Sequence, residues 1–308
     1  MKIIKIAIAL VGVTIAGSAL AQQQPMYSQY MFNMMNINPA YTGIRETPNA
    51  TLLIRSQWTS FAGAPKTGNF TYDNGVGKKN HSWGGQMYYD KIGIETTTGV
   101  QGFYSYMAPF ENATLSLGMS FGVMNYNIDY KDTNPYDPGD PGLTYAVNRF
   151  LPTAGAGALL SGNRWWIGLS APALFKTKVT TNEQAAVEGA GAEGHYFLSA
   201  GYVFPVSQTV VLKPSTLLKA TGGAPIQADF NLNAWFNDMI GVGASYRTGS
   251  AVVGMLEYKH KEKFRFGYAF EYNTSYLNNY SGGTHELMLR YDLPARQETK
   301  RELAPKYF

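Results

Sequence analysis

The sequence predicts an all-β fold, a transmembrane outer-membrane β-barrel of about 14 antiparallel strands with a short N-terminal plug or periplasmic segment, and three observations carry that prediction. The first is an export leader. Lys2 and Lys5, an apolar run from Ile6 to Ala16 and the triplet Ala19-Leu20-Ala21 fit a cleaved signal peptide over 1–21. The second is a composition poor in the residues that water prefers: charged residues make up 15% of the 308-residue chain, aromatic residues 14%, and 33 residues are glycine. Ordinary soluble domains carry roughly 25% charge. The third is the hydropathy pattern. After the leader the chain lacks the run of roughly 18 apolar residues that a membrane helix needs, yet alternation of apolar and polar residues recurs through the rest. A closed barrel is the remaining structure that pairs every backbone N–H and C=O inside hydrocarbon.

Taken in order, the mature chain is expected to start at Gln22, and its first segment, 22–48, contains "YSQYMFNMMNINPAYTG" over 27–43. Tyr27, Tyr30, Met31, Met34 and Met35 recur at spacings of three and four, which predicts about two turns of helix with an apolar stripe. Pro39 and Gly43 then end it as turn residues. A segment this apolar needs cover, inside a barrel mouth or against a partner. The barrel follows over 49–293. Its strands are predicted at 50–58, 68–73, 82–91, 97–107, 113–127, 151–161, 164–171, 193–204, 208–219, 226–236, 239–248, 250–259, 263–273 and 284–293.

Three strands show the alternation best. In "ATLSLGMSFGV" (113–123), Leu115, Leu117, Met119 and Phe121 oppose Thr114, Ser116, Gly118 and Ser120. In 226–236, Phe230, Leu232 and Phe236 oppose Asp229, Asn231 and Asn233, and in 263–273, Phe264, Phe266, Tyr268, Phe270 and Tyr272 oppose Arg265, Gly267 and Glu271. A charge on the lipid side of such a strand costs about 2–4 kcal/mol at mid-membrane, so the polar set is assigned to the lumen. With both termini periplasmic, the long connections 128–150 and 172–192 fall outside, and short turns such as "SGN", "ND" and "HKE" fall inside. Trp83, Trp165, Trp166 and Tyr196 lie near strand ends and are expected in the interfacial girdles. The charged tail 294–308 extends into the periplasm. A soluble β-sandwich with one wet face is the competing fold, and it calls for more Lys and Glu on the solvent side than these strands hold.

Chemistry is sparse. The chain has 25 Lys+Arg and 21 Asp+Glu, and two of the lysines belong to the leader, so the mature chain is near neutral and gives nucleic-acid binding no support. With no cysteine, disulfides and thiolate chemistry are excluded. His81, His195, His260 and His285 form no metal-ligand spacing. His285 shares the parity of Leu287, Leu289 and Tyr291, away from the lumen, where a catalytic base would have to sit. No enzyme and no cofactor are expected. The connection "DYKDTNPYDPGDPG" offers Asp129, Asp132, Asp137 and Asp140 as oxygen donors of the type calcium prefers. Their spacing is not that of an EF-hand, and Asp-Pro and Pro-Gly pairs are ordinary loop chemistry, which is the stronger reading.

"QYMFNMMNINPAYTG", followed by "RSQWTSFAGAPKT" (55–67), "IGLSAPAL" (167–174) and "GGTHELMLRYDL" (282–293), resembles the PorP/SprF family of Bacteroidota. The resemblance spans nearly the whole mature chain. It implies an outer-membrane barrel of the type IX secretion and gliding machinery, without catalysis or cofactor. Its partners would be other secretion components, a secreted or surface-anchored cargo protein such as an adhesin, and outer-membrane lipid. The positions carried over are Tyr30, Phe32, Asn33, Asn38, Pro39, Ala40, Tyr41, Gly43, Arg55, Gln57, Trp58, Gly63, Pro65, Gly283, His285 and Glu286. Pro39 and Gly43 also read as plain turn-formers. Arg55 and Gln57 share the lumenal parity of Thr51, so the expectation is that they clamp the N-terminal segment through its Asn side chains and carbonyls. The alternative function is an outer-membrane channel for hydrophobic or small solutes with an N-terminal plug; its lumen would need a continuous apolar path.

Overall fold

The computed structural model describes residues 26–45, 47–75, 80–129, 147–174, 177–178, 191–192, 194–222, 224–261, 263–275 and 281–294. The expected leader 1–21, Asp132, Asp137 and Asp140 of the calcium reading, and the tail from 295 onward lie outside those residues.

Fourteen antiparallel strands form the wall. They are β1 (Asn49–Ser56), β2 (Lys66–Asp73), β3 (His81–Ile92), β4 (Glu95–Pro109), β5 (Thr114–Ile128), β6 (Val147–Ser161) and β7 (Trp165–Ala171) in the first half. The second half holds β8 (His195–Tyr202), β9 (Val210–Thr221), β10 (Gln227–Phe236), β11 (Ile240–Arg247), β12 (Ala251–His260), β13 (Phe264–Asn273) and β14 (Thr284–Asp292). Each strand pairs with the next in sequence, and β14 pairs with β1 from Asn49↔Asp292 to Ser56↔His285. Closure removes the edges that hydrocarbon would leave unpaired. The eighth strand is shorter than its pattern suggests. Backbone pairing stops at Tyr202, and Phe204–Pro205 resumes it beside β9.

The predicted parity is the observed one. Along β5, Thr114, Ser116, Gly118 and Ser120 face inward and are buried, whereas Leu117, Met119 and Phe121 are exposed to the surroundings. Along β13, Phe264, Phe266, Tyr268, Phe270 and Tyr272 face out and Gly267, Ala269, Glu271 and Asn273 face in. Among the described residues no helix is long and apolar enough to cross a membrane. Loop 57–65 lies at one end, and β5, β7 and β13 end there while β6, β8 and β14 begin there, so the longest connections of the sequence join strands at that end. The opposite end carries the tight turns 162–164 and 237–239 and the β12–β13 junction at Lys261, and there Asn237 (φ 51°), Asp238 (φ 56°) and Lys261 (φ 49°) take the left-handed backbone that tight hairpins require. That second end also receives the N-terminal segment, which joins β1 at Asn49.

One aromatic departs from expectation. Trp166 does not anchor the outside of the barrel; it is 3% exposed and points into the lumen, where it and Trp235 flank the ammonium of Lys213 at 5.1 and 5.7 Å. Adjacent residues on a strand face opposite sides, so Trp165 and Trp166 could not both belong to the girdle.

Candidate functional site: a lumen filled by the N-terminal segment

Residues 26–45 run through the lumen, from Ser28 near the end with the long connections to Gly43 near the end with the short turns. The expected α-helix is absent. Three 3₁₀ turns replace it, Tyr30–Phe32, Met34–Asn36 and Pro39–Tyr41. Asn38 interrupts helical pairing because its short amide side chain takes backbone partners, and a segment surrounded by wall on every side has no use for a single apolar stripe. Pro39 opens the last turn, with Asn38 as its cap: the Ala40 N–H donates to Asn38 Oδ1 at 2.9 Å.

Apolar packing comes first. Tyr30, Met31, Phe32, Met34, Ile37, Ala40, Tyr41 and Ile44 form one buried cluster with Met107, Leu159, Trp166, Phe197, Leu217, Trp235, Val253, Met255, Ala269 and Met288 of the wall. Phe32 meets Trp235 edge to face, with ring centroids 6.1 Å apart. The lumen is therefore less polar than the strand pattern implied, and its apolar wall is covered by this segment.

Close approach is made possible by glycine and serine. A Cβ on Gly118 would fall 2.3 Å from the Ala40 nitrogen, and one on Gly157 would fall 2.0 Å from Asn38 Oδ1. Beside these glycines, serine hydroxyls take up the segment's carbonyls: Ser170 Oγ donates to Ile37 O at 2.9 Å, Ser116 Oγ to Ala40 O at 2.6 Å and Ser105 Oγ to Thr42 O at 2.5 Å. Asn38 Nδ2 in turn donates to the Ala158 and Leu169 carbonyls at 3.1 and 3.3 Å. Asn33 Nδ2 reaches Thr71 Oγ1 at 2.9 Å, and Asn231 Nδ2 donates to the Tyr30 hydroxyl at 2.7 Å. At the lower end Gly43, with φ 75°, donates its N–H to the Asp73 carboxylate at 2.9 Å. Arg45 donates to the Phe32 carbonyl.

The upper end is held by charge. Arg55 pairs with Glu286 and, at 3.2 Å, with Glu271. Glu271 also takes Arg247 at 3.1 Å, Arg247 reaches Asp229 at 3.3 Å, and Asp229 pairs with Lys219 at 2.7 Å. The three cations balance the three carboxylates, as burial demands. Ser28 is tied into this network: its N–H donates to Glu286 at 2.6 Å, its hydroxyl donates to Glu271 at 2.5 Å, and Arg55 donates to that hydroxyl at 3.0 Å. Gln29 N–H adds a second bond to Glu286 at 3.0 Å. The clamp thus differs from the expected one, because Arg55 engages Ser28 and carboxylates of β13 and β14 instead of Asn side chains and carbonyls.

Gln57 lies beyond the end of β1, and its N–H donates to Pro65 O at 2.9 Å across loop 57–65. Trp58 (φ 49°) and Gly63 (φ 76°) shape the same loop, which is tied to Gly283 by Thr59 N–H→Gly283 O at 2.9 Å and Gly282 N–H→Thr59 O at 2.7 Å. His285 points outward against the Tyr268 hydroxyl at 2.7 Å. The carried-over positions therefore divide into a lumenal group, Tyr30 to Gly43 with Arg55 and Glu286, and a group at the far end, Gln57 to Pro65 with Gly283 and His285. Sequence pattern does not single out Ser28, Asp73, Lys219, Arg247 and the glycine–serine cradle as parts of one site, although all but Ser28 share the inward strand parity. Among the described residues no cluster of His, Cys, Asp and Glu is placed to hold a metal.

Residues 19–291 match the family described as type IX secretion system membrane protein PorP/SprF. A search of curated proteins returned no match. Solved structures similar to this chain include the Acinetobacter baumannii outer membrane protein Omp33, at 12% identity over 82% of this chain and 100% of that one, with a TM-score of 0.48. A Pseudomonas aeruginosa FadL homologue is similar at 12% identity over 90% and 96% of the two chains, with a TM-score of 0.49. The Ralstonia pickettii toluene transporter TbuX is similar at 11% identity over 83% and 92%, with a TM-score of 0.47.

Proposed function

Because the chain belongs to the PorP/SprF family of type IX secretion system membrane proteins, we propose that it is a non-enzymatic, plugged scaffold of the outer membrane that supports secretion or surface attachment of a partner protein such as an adhesin. The observation that carries this reading is the occupied lumen. A conduit needs an open path, whereas here residues 26–45 fill the bore with an apolar cluster, a hydrogen-bonded cradle and a balanced ionic network. What remains for function is the two ends. The end with the long connections faces the exterior and receives the cargo, and it presents loop 57–65 with Phe61 56% exposed. The end with short turns faces the periplasm and meets the other secretion components.

Deleting the gene and comparing surface and released proteins by mass spectrometry tests this. Loss of one adhesin-like protein is the result expected of a dedicated partner, and loss of many secreted proteins that of a general component. An unchanged profile contradicts the secretion role and directs attention to uptake of hydrophobic or small solutes.

A further inference from the structure

Strand register places four outward side chains in one row at the end carrying loop 57–65. Ser56 of β1 pairs with His285 of β14 on one side and with Lys66 of β2 on the other, and Lys66 pairs with Lys91 of β3. The next outward row toward the middle of the barrel is Leu287, Ile54, Gly68 and Tyr89, and the one after it is Leu289, Leu52, Phe70 and Met87. The boundary between polar and apolar rows is where a membrane surface belongs, since a cation on the outer face costs about 0–1 kcal/mol there. Among the described residues of the barrel strands, Lys66 and Lys91 are the only lysines or arginines with outward parity. Every other one has inward parity.

Two like charges directly opposite in a ladder, with Cα atoms about 4.5–5.5 Å apart, destabilise the pair unless an anion lies between them. Asp90 has inward parity and accepts from Thr67 at 2.6 Å, so its carboxylate is committed to the other side of the wall. Directly beneath Lys66, a Cβ built on Gly68 would meet nothing within 4 Å, leaving a notch in the apolar face between Ile54 and Tyr89. An anion bridged by two ammonium groups above an apolar notch is the outline of a phosphorylated lipid.

We propose that the outward face of β14, β1, β2 and β3 binds a phosphorylated lipid of the outer leaflet, its phosphate between Lys66 and Lys91 and an acyl chain over Gly68. The leaflet follows from the orientation proposed above. The site itself does not depend on the secretion role, and the test is made on purified protein. Native mass spectrometry of the full chain, released from detergent micelles doped with diphosphoryl lipid A, is expected to show a retained lipid adduct. Dephosphorylated lipid A and phosphatidylglycerol are expected to be retained less. Each lysine near an anionic headgroup contributes about fivefold, so K66Q/K91Q should weaken retention about thirtyfold. Gly68→Leu, which fills the notch, should weaken it as well, with both variants keeping the heat-modifiable mobility of a folded barrel. Equal retention of the dephosphorylated lipid, or no effect of K66Q/K91Q, overturns the site. Preference for phosphatidylglycerol overturns the leaflet, and displacement by inorganic phosphate from an unaffected Gly68→Leu variant overturns the acyl notch.

Discussion

Replacing Arg55 by alanine is expected to release the upper end of the lumenal segment and to expose Tyr27–Gly43 to added protease in a barrel that stays folded. Arg55 is 4% exposed and bridges Glu271 and Glu286 while donating to Ser28. Its removal strands two buried carboxylates with one cation fewer, and breaking a buried pair on one side costs about 3–5 kcal/mol. Much of that cost can be relieved if Ser28 and Gln29 leave and water enters, so the loss should appear as opening of the segment and not as unfolding of the wall. Arg55→Lys should recover only part of the protection, since a point charge cannot fork between two carboxylates as a guanidinium does. Limited proteolysis in micelles, read by mass, checks this. Equal protection of Arg55→Ala and the unaltered protein would show that the ionic network does not hold the segment.

Gly118→Val is expected to be as damaging by a different route. The glycine faces backbone atoms of Pro39 and Ala40, where an added Cβ falls at 2.3 Å, and backbone cannot rotate aside as a flexible side chain can. Overpacking of this kind costs about 1–3 kcal/mol, and a contact this close belongs at the upper end. The Ser116 bond to the Ala40 carbonyl is lost with it. The prediction is a lower urea midpoint for loss of segment protection, with strand pairing retained. Gly254→Ala serves as the control: nothing lies within 4 Å of a Cβ there, and no change is expected. Tolerance of Gly118→Val would mean that the cradle is looser than its geometry states.

These two sites also mark what the sequence could and could not tell. Period-two alternation exposes the wall because a lipid face penalises every misplaced charge, so β5, β10 and β13 are readable from the order of residue types alone. Arg55 is legible as a lumenal residue for the same reason. Its partners are not, because Glu271 and Glu286 lie 216 and 231 positions away and reach it only when β14 closes on β1. Small inward residues such as Gly118, Gly157, Ser116 and Ser170 are visible as a pattern, yet the pattern does not say what they make room for. Spacings of three and four in the segment suggest a helix, yet they suit successive 3₁₀ turns equally well once walls on all sides bury every face. Trp166 sits near a strand end, as girdle residues do, but its parity is inward and parity decides its side of the wall.

The account rests on a lumen closed by its own chain, and the most direct measurement is ion conductance of the purified, full-length barrel in a planar bilayer. Without Arg55→Ala or a similar lesion, no stepwise conductance is predicted at moderate voltage, and the Arg55→Ala protein should open. Stable conducting steps from the unaltered protein would contradict a plugged scaffold and make a channel of it.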